Sequence, residues 1–156
     1  MTVTLKEYTR EALAGQPIGA WAGMASRLVV GGLREQLAVE GLAQPHWWTL
    51  NHVAGSPGVW TRPVLTARLA TWDFLGTDFE RVYDELVARG WLTEDAGTGA
   101  MTLTEEGEEG RVRARDRNAR VHRQAHEGVG TDDFVTTINV LRRIVANMGG
   151  EGDLPG

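Results

Sequence analysis

The sequence predicts a mainly α-helical chain carrying one small β-hairpin. Three observations predict it. Apolar residues recur at helical spacing over several stretches, capping and stop residues divide those stretches, and two short β-prone runs flank the turn-rich link Asp-Ala-Gly-Thr-Gly at 95–99. A chain of 156 residues is long enough for one self-sufficient core, burying roughly 70% of its unfolded surface.

Each element follows from its own signals. Over 19–42, Ala25, Val29, Leu33 and Leu37 recur every four residues with Trp21, Met24 and Leu28 adjoining, and Gly41 closes a long, broadly apolar helix. A short aromatic helix over 44–54 carries His46, Trp47, Trp48, Leu50 and Val53 and stops at Gly-Ser-Pro-Gly. Thr61 is placed to cap a third helix that ends near Trp72, with Pro63 in its first turn and Leu65 and Leu69 inward. Thr77-Asp-Phe-Glu80 reads as a capping box opening a fourth, in which Phe79, Val82, Tyr83, Leu86 and Val87 form one face and Gly90 ends it. Strands over 91–94 and 100–104 make the hairpin, with Met101 and Leu103 inward. Thr104 caps a helix of low apolar content running to about residue 127, with Glu105 and Glu106 against its N-terminal dipole. Thr131 caps the last helix, whose Phe134, Ile138, Leu141, Val145 and Met148 form a seam suited to a partner helix, with Arg142 and Arg143 near its C-terminus. The tail 149–156 is expected to be disordered.

Composition narrows the function classes. With no cysteine, disulfides, thiolate metal sites and cysteine nucleophiles are excluded. No apolar run approaches the roughly 20 residues of a membrane span, and the polar start MTVTLKEYTRE does not read as a secretory signal, so a cytoplasmic protein is expected. Net charge is −5, unevenly spread. Residues 56–104 hold four basic groups (Arg62, Arg68, Arg81, Arg89) against seven acids, and the one basic stretch lies at 111–123.

The order of elements, together with Asp84-Glu-Leu-Val-Ala-Arg-Gly-Trp-Leu-Thr93, Leu103-Thr-Glu-Glu-Gly107 and Leu141-Arg-Arg-Ile-Val-Ala-Asn-Met-Gly149, resembles the MarR family of winged helix-turn-helix transcriptional regulators over roughly residues 17–149. The resemblance implies a single domain over 1–156. Residues 17–55 and 105–149 would be long N- and C-terminal dimerisation helices, 56–104 the winged helix-turn-helix, and 150–156 a flexible tail. It further implies a homodimer reading a pseudo-palindromic operator in double-stranded DNA, with residues 77–89 in the major groove and the hairpin beside it as the wing. Arg62, Arg68, Thr77, Arg81 and Thr98 are the residues it offers to DNA. The chain departs from the family where many relatives carry an aspartate followed two residues later by arginine in the wing. After Asp95 it has Ala96-Gly97-Thr98, with no cation from Trp91 to Thr104.

Family members commonly respond to small aromatic or amphipathic effectors. Here His46, Trp47, Trp48, Asn51 and His52, with Trp21, Met24 and Arg27 on the preceding helix, have the composition of an aromatic ligand site. The same residues also fit a Trp-rich core whose ring nitrogens find ordinary partners. His122 and His126 lie one helical turn apart, but two ligands do not close a metal site, and solvent-exposed histidines are expected. The run Arg111, Arg113, Arg115, Arg117, Arg120 and Arg123 is spread around its helix and is expected to be solvated and ion-paired. Ser26 and Ser56 lack a glycine-rich elbow, and neither a nucleotide loop nor a carboxylate pair declares itself, so no catalysis and no cofactor are expected. The alternative reading is a winged-helix protein that has lost DNA binding and holds, or transforms, a small molecule.

Overall fold

The computed structural model describes residues 3–154. Among them lie α1 (Arg10–Ala14), α2 (Ile18–Val39), α3 (Gln44–Gly55), α4 (Arg62–Ala70), α5 (Phe79–Ala88), β1 (Leu92–Glu94), β2 (Met101–Leu103), α6 (Glu105–His126) and α7 (Thr131–Asn147). The expected mainly α fold with one hairpin is therefore present. Two compact units divide the chain: residues 17–122, and the terminal segments up to 16 and from 123.

In the larger unit a single core gathers Leu37 of α2, Leu50 and Val53 of α3, Leu65 and Leu69 of α4, and Phe79, Val82, Tyr83 and Leu86 of α5. Leu42, Trp91, Leu92, Met101 and Ala114 complete it. Each fully buried large side chain contributes about 1.5–3 kcal/mol. The i, i+3, i+4, i+7 pattern of α5 puts Phe79, Val82, Tyr83 and Leu86 inward and leaves Glu80, Arg81 and Asp84 outward, while Val87, expected on the inner face, is exposed at its edge. β1 and β2 pair antiparallel with Leu92 opposite Leu103, Thr93 opposite Thr102 and Glu94 opposite Met101. Gly58 donates to the Met101 carbonyl at 2.9 Å and the Met101 N–H to Trp60 at 2.8 Å, so the end of the α3–α4 link is laced onto the hairpin.

α6 buries Gly107, Gly110, Ala114 and Asn118, a stripe of small residues at spacings of three and four. Small size is required there. A Cβ on Gly107 would lie 2.1 Å from the Trp91 carbonyl oxygen, and one on Gly110 2.2 Å from the Trp91 indole. Gly32 plays a milder form of this role on α2, where a Cβ would meet Val121 at 3.1 Å.

Four local expectations are corrected. The cap of α5 is Asp78, whose carboxylate accepts the Arg81 N–H at 3.2 Å. Thr77 instead donates its hydroxyl to Asp73 at 2.8 Å and its N–H at 2.5 Å, because the Asp73 carboxylate already organises the turn between α4 and α5. α7 is capped at Gly130, with Thr131 as its first residue. Thr61 occupies the α4 cap position without a side-chain bond. The fourth correction is an addition: α1, a single turn capped by the Thr9 hydroxyl, lies in a stretch too polar to show periodicity. Thr104 does cap α6, accepting from Gly107 at 3.0 Å. Gly90 follows α5 with φ +75°, the left-handed conformation a helix end favours. The reassigned cap is testable: Asp78→Ala is expected to lower stability by about 1 kcal/mol in urea unfolding, and Thr77→Ala by less.

In the terminal unit, α7 leaves Phe134, Val135, Val140, Val145 and Met148 exposed. His126 lies 4.4 Å from the Phe134 ring. Beyond α7, Arg142 donates to the Gly152 carbonyl at 2.7 Å. Among the described residues no helix is long and apolar enough to cross a membrane.

Candidate functional site

The outward side of α4, α5 and the hairpin has unusual electrostatics. Arg62, in the first turn of α4, donates to Glu80 at 2.8 Å, to Asp84 at 2.8 Å and to both oxygens of Glu94 at 3.0 and 2.6 Å. Its guanidinium also lies 5.7 Å from the Tyr83 ring centroid. One cation thus faces three carboxylates, and these bonds, that to Glu94 first, hold it firmly protonated against the opposing effect of burial. Arg81 extends outward from α5 and pairs with Glu85 at 2.9 Å, one helical turn on. Arg68 is half-buried on α4. Thr77 is bound to Asp73 as described. Thr98, at the hairpin tip, donates its hydroxyl to Asp95 at 3.0 Å. The Thr98 N–H and hydroxyl and the Gly97 N–H hold the Asp95 carboxyl below its ordinary range, so the tip carries a fixed negative charge. Of the five residues offered to DNA, Arg62 already serves as an internal counter-ion.

A second cluster ties α5 and α6 to the end of α2. Arg113 and Arg117 each donate to Glu40 at 3.1 Å. Arg89, just past α5, donates to the Glu40 and Gly41 carbonyls at 2.8 and 3.1 Å and stacks 3.9 Å from the Trp91 ring centroid. Burial pushes the Glu40 carboxyl up, but the hydrogen bonds and charges of Arg113 and Arg117 outweigh it and hold the group below the usual carboxylate range. Because the folded value is lowered, this stabilisation is full above the unfolded carboxylate range and is lost as pH falls through the depressed value. Glu40→Gln is expected to cost about 2 kcal/mol near neutral pH, between the exposed and buried ion-pair ranges. It should also flatten the acid limb of stability measured by urea unfolding at stepwise lower pH.

Within the arginine run, Arg111, Arg113, Arg115 and Arg117 form ion pairs. Arg111 takes Glu108, Arg115 takes Asp116, and Arg113 and Arg117 reach back to Glu40. Among the described residues, no three His, Asp or Glu side chains are grouped so as to hold a metal.

A cleft of about 380 Å³ opens between α2, α3 and α6, lined by Leu33, Leu37, Gln44, Trp47, Trp48, Arg115, Asn118, Ala119 and His122. Of the residues singled out in the sequence for a ligand, the cleft takes Trp47 and Trp48. His46 is committed elsewhere: its Nδ1 accepts the Ala43 N–H at 3.0 Å, which leaves the proton on Nε2 to be donated to Glu85 at 2.7 Å. Asn51 donates to the Trp47 carbonyl and accepts from Arg111. His52 bonds the Trp48 carbonyl at 2.8 Å and meets Trp60 edge-on. Those three behave as the satisfied core polar groups of the simpler reading. Trp21, Met24 and Arg27 lie on the exposed N-terminal half of α2, outside the cleft.

Sequence reasoning missed Asn118 altogether. Asn118 is 5% exposed, and its Oδ1 is buried without a hydrogen-bond partner. A signal existed: Gly107, Gly110, Ala114 and Asn118 share helical spacing, so the inner stripe of α6 ends on a carboxamide. No protein-family model and no curated protein sequence matches the chain. Solved structures do match. A MarR family transcriptional regulator from Silicibacter pomeroyi aligns with TM-score 0.68 and 18% identity, covering 90% of this chain and 99% of that one. The PcaV transcriptional regulator from Streptomyces coelicolor gives 0.69 and 20%, covering 86% and 98%. A MarR family protein from Mycobacterium tuberculosis, solved in complex with DNA, gives 0.66 and 17%, covering 83% and 98%. With α4 and α5 as helix-turn-helix and β1–β2 as wing, the chain has the winged-helix fold of MarR-family transcriptional regulators.

Proposed function

We propose that the chain is a sequence-specific DNA-binding transcriptional regulator that works as a homodimer and responds to a small, largely apolar molecule. The observation that carries this reading is the outward face of α5: a helix held by four buried side chains, beside a hairpin, in the arrangement of a neighbour whose structure holds DNA. Two apolar surfaces support the dimer, each described on its own unit: Trp21 and Leu28 of α2, 56% and 68% exposed, and the α7 stripe ending at Met148. The cleft beside Trp47 supports the effector, since its volume and aromatic walls suit a small ligand. Control then requires that the ligand bind the DNA-competent and DNA-incompetent arrangements with different affinity. Under this reading Arg81, Arg68, Thr77 and Thr98 face the duplex, and Arg62 joins them only by exchanging carboxylates for phosphate.

A second reading is favoured by the Arg62 cluster and by a hairpin that carries acids and no cation: the outward face has given up DNA, and the scaffold holds a small molecule alone. Titration of the purified chain against its own upstream DNA at several salt concentrations separates the two. A specific complex whose affinity falls with salt is expected. Absence of any specific complex at low salt defeats the regulator assignment.

A further inference from the structure

Residues 71–78 separate α4 from α5, where the two helices of a helix-turn-helix are usually joined by about three or four residues. The additional length carries apolar groups into solvent. Phe74 is 94% exposed, the most of any large apolar side chain among the described residues, with Leu75 beside it at 74% and Trp72 at 45%. The segment is nevertheless well tied. The Asp73 carboxylate accepts the Leu75 N–H at 3.2 Å and both the N–H and the hydroxyl of Thr77, Thr71 donates its hydroxyl to the Arg68 carbonyl at 2.8 Å, and Gly76 turns the chain at φ +67°. Asp73 is thus spent on its own backbone, while Phe74 and Leu75 stand in solvent on a turn that is already ordered. An apolar pair held in this way can be covered without the cost of fixing the chain beneath it.

Resting on the regulator reading, we infer that Phe74 and Leu75 cover thymine 5-methyl groups in the major groove, so that the operator is read in part by apolar contact. A recognition helix meets base edges with its N-terminal residues, and Phe74 and Leu75 stand five and four residues before Phe79, the first residue of α5. Polar groups at this end of α5 are already engaged: Thr77 is bound to Asp73, Asp78 caps the helix, Glu80 holds Arg62 and Arg81 holds Glu85. The thymine methyl is the apolar group that a base pair displays in the major groove, and phenylalanine is among the side chains that meet it. A protein partner fits less well. Even a fully buried aromatic side chain covers only about 150–250 Å², so three partly exposed side chains fall short of the roughly 800 Å² per partner of a standard protein interface.

The full chain is titrated by fluorescence anisotropy against its own upstream DNA, made once with thymine and once with uracil throughout, a change that removes the methyl and keeps every hydrogen-bonding group. The unaltered protein is expected to bind the thymine fragment on the order of tenfold more tightly, since burying one methyl is worth about fourfold and a dimer buries one in each half-site. Phe74→Ala combined with Leu75→Ala is expected to bind the two fragments alike. Its dependence of log K on log salt should be unchanged, because no charge is altered, and so should its melting temperature, because both side chains lie in solvent. Equal affinity of the unaltered protein for the two fragments overturns the inference, as does a double variant that keeps the thymine preference, and the regulator reading survives either result. No specific complex with either fragment at low salt overturns that reading and the inference together. A double variant that sediments as a smaller assembly with its thymine preference intact assigns the pair to a protein contact, and overturns the inference as well.

Discussion

Gly107→Ala is expected to cost about 3 kcal/mol or more, at the upper end of what over-packing a core produces and a large fraction of the total stability of a typical domain. The reason is that the new methyl group would meet backbone and not a yielding side chain: the carbonyl oxygen of Trp91 stands 2.1 Å from its position, with the Trp91 carbonyl carbon and Cα within 2.9 Å. Relief requires α6 to move away from the start of β1. That movement breaks the Thr104 N–H bond to the Trp91 carbonyl at 3.0 Å and the Thr104 hydroxyl bond to Gly90 at 2.6 Å. Urea unfolding followed by tryptophan fluorescence measures the loss. A change under 1 kcal/mol would show that α6 and the hairpin are not in contact as described. Gly110→Ala tests the neighbouring site, where the obstacle is the buried indole of the same residue.

Under the regulator reading, the largest expected effect on function comes from the acids around Arg62. Glu80→Gln combined with Asp84→Asn removes two negative charges per chain and takes two of the three carboxylates from Arg62. Phosphate neutralisation dominates the affinity of proteins for duplex DNA. One additional phosphate contact from each protomer of a dimer should steepen the dependence of log K on log salt by about 2. Affinity at about 0.1 M salt is expected to rise on the order of tenfold or more. Fluorescence anisotropy with upstream DNA at four or more salt concentrations gives both quantities. An unchanged slope means that α5 and Arg62 do not meet the duplex, which favours the second reading of the molecule. The third carboxylate, Glu94, is left in place because its two bonds to Arg62 tie α4 to β1.

The ease with which the fold can be read from the sequence varies with the range of the forces involved. α5 was legible because its four buried residues repeat at helical spacing within ten residues, and the hairpin because its turn chemistry is local. The cap of α5 was placed one residue early because Thr77 and Asp78 both suit that position, and only the Asp73 carboxylate, four residues back, decides between them. The site was less legible still. Arg62 acquires its role from acids 18, 22 and 32 residues away, and Glu40 from arginines 73 and 77 residues away. Composition rightly marked α3 as rich in aromatic and polar side chains. It carried no information on which of them turn to the cleft, and three of the five chosen there are spent on hydrogen bonds elsewhere.

The hairpin tip has a consequence for how such a protein changes over generations. Gly97 does not adopt the left-handed conformation, and a Cβ there would come no closer than 3.4 Å to the nearest atom outside its chain neighbours, Asp95 Oδ1, while its N–H goes on donating to that oxygen at 2.9 Å. The backbone accepts a side chain at this position without remodelling. A lineage carrying this scaffold is therefore one substitution, Gly97→Arg, from a tip whose charge is balanced, and grip on a polyanion can be acquired or surrendered without disturbing the packed interior.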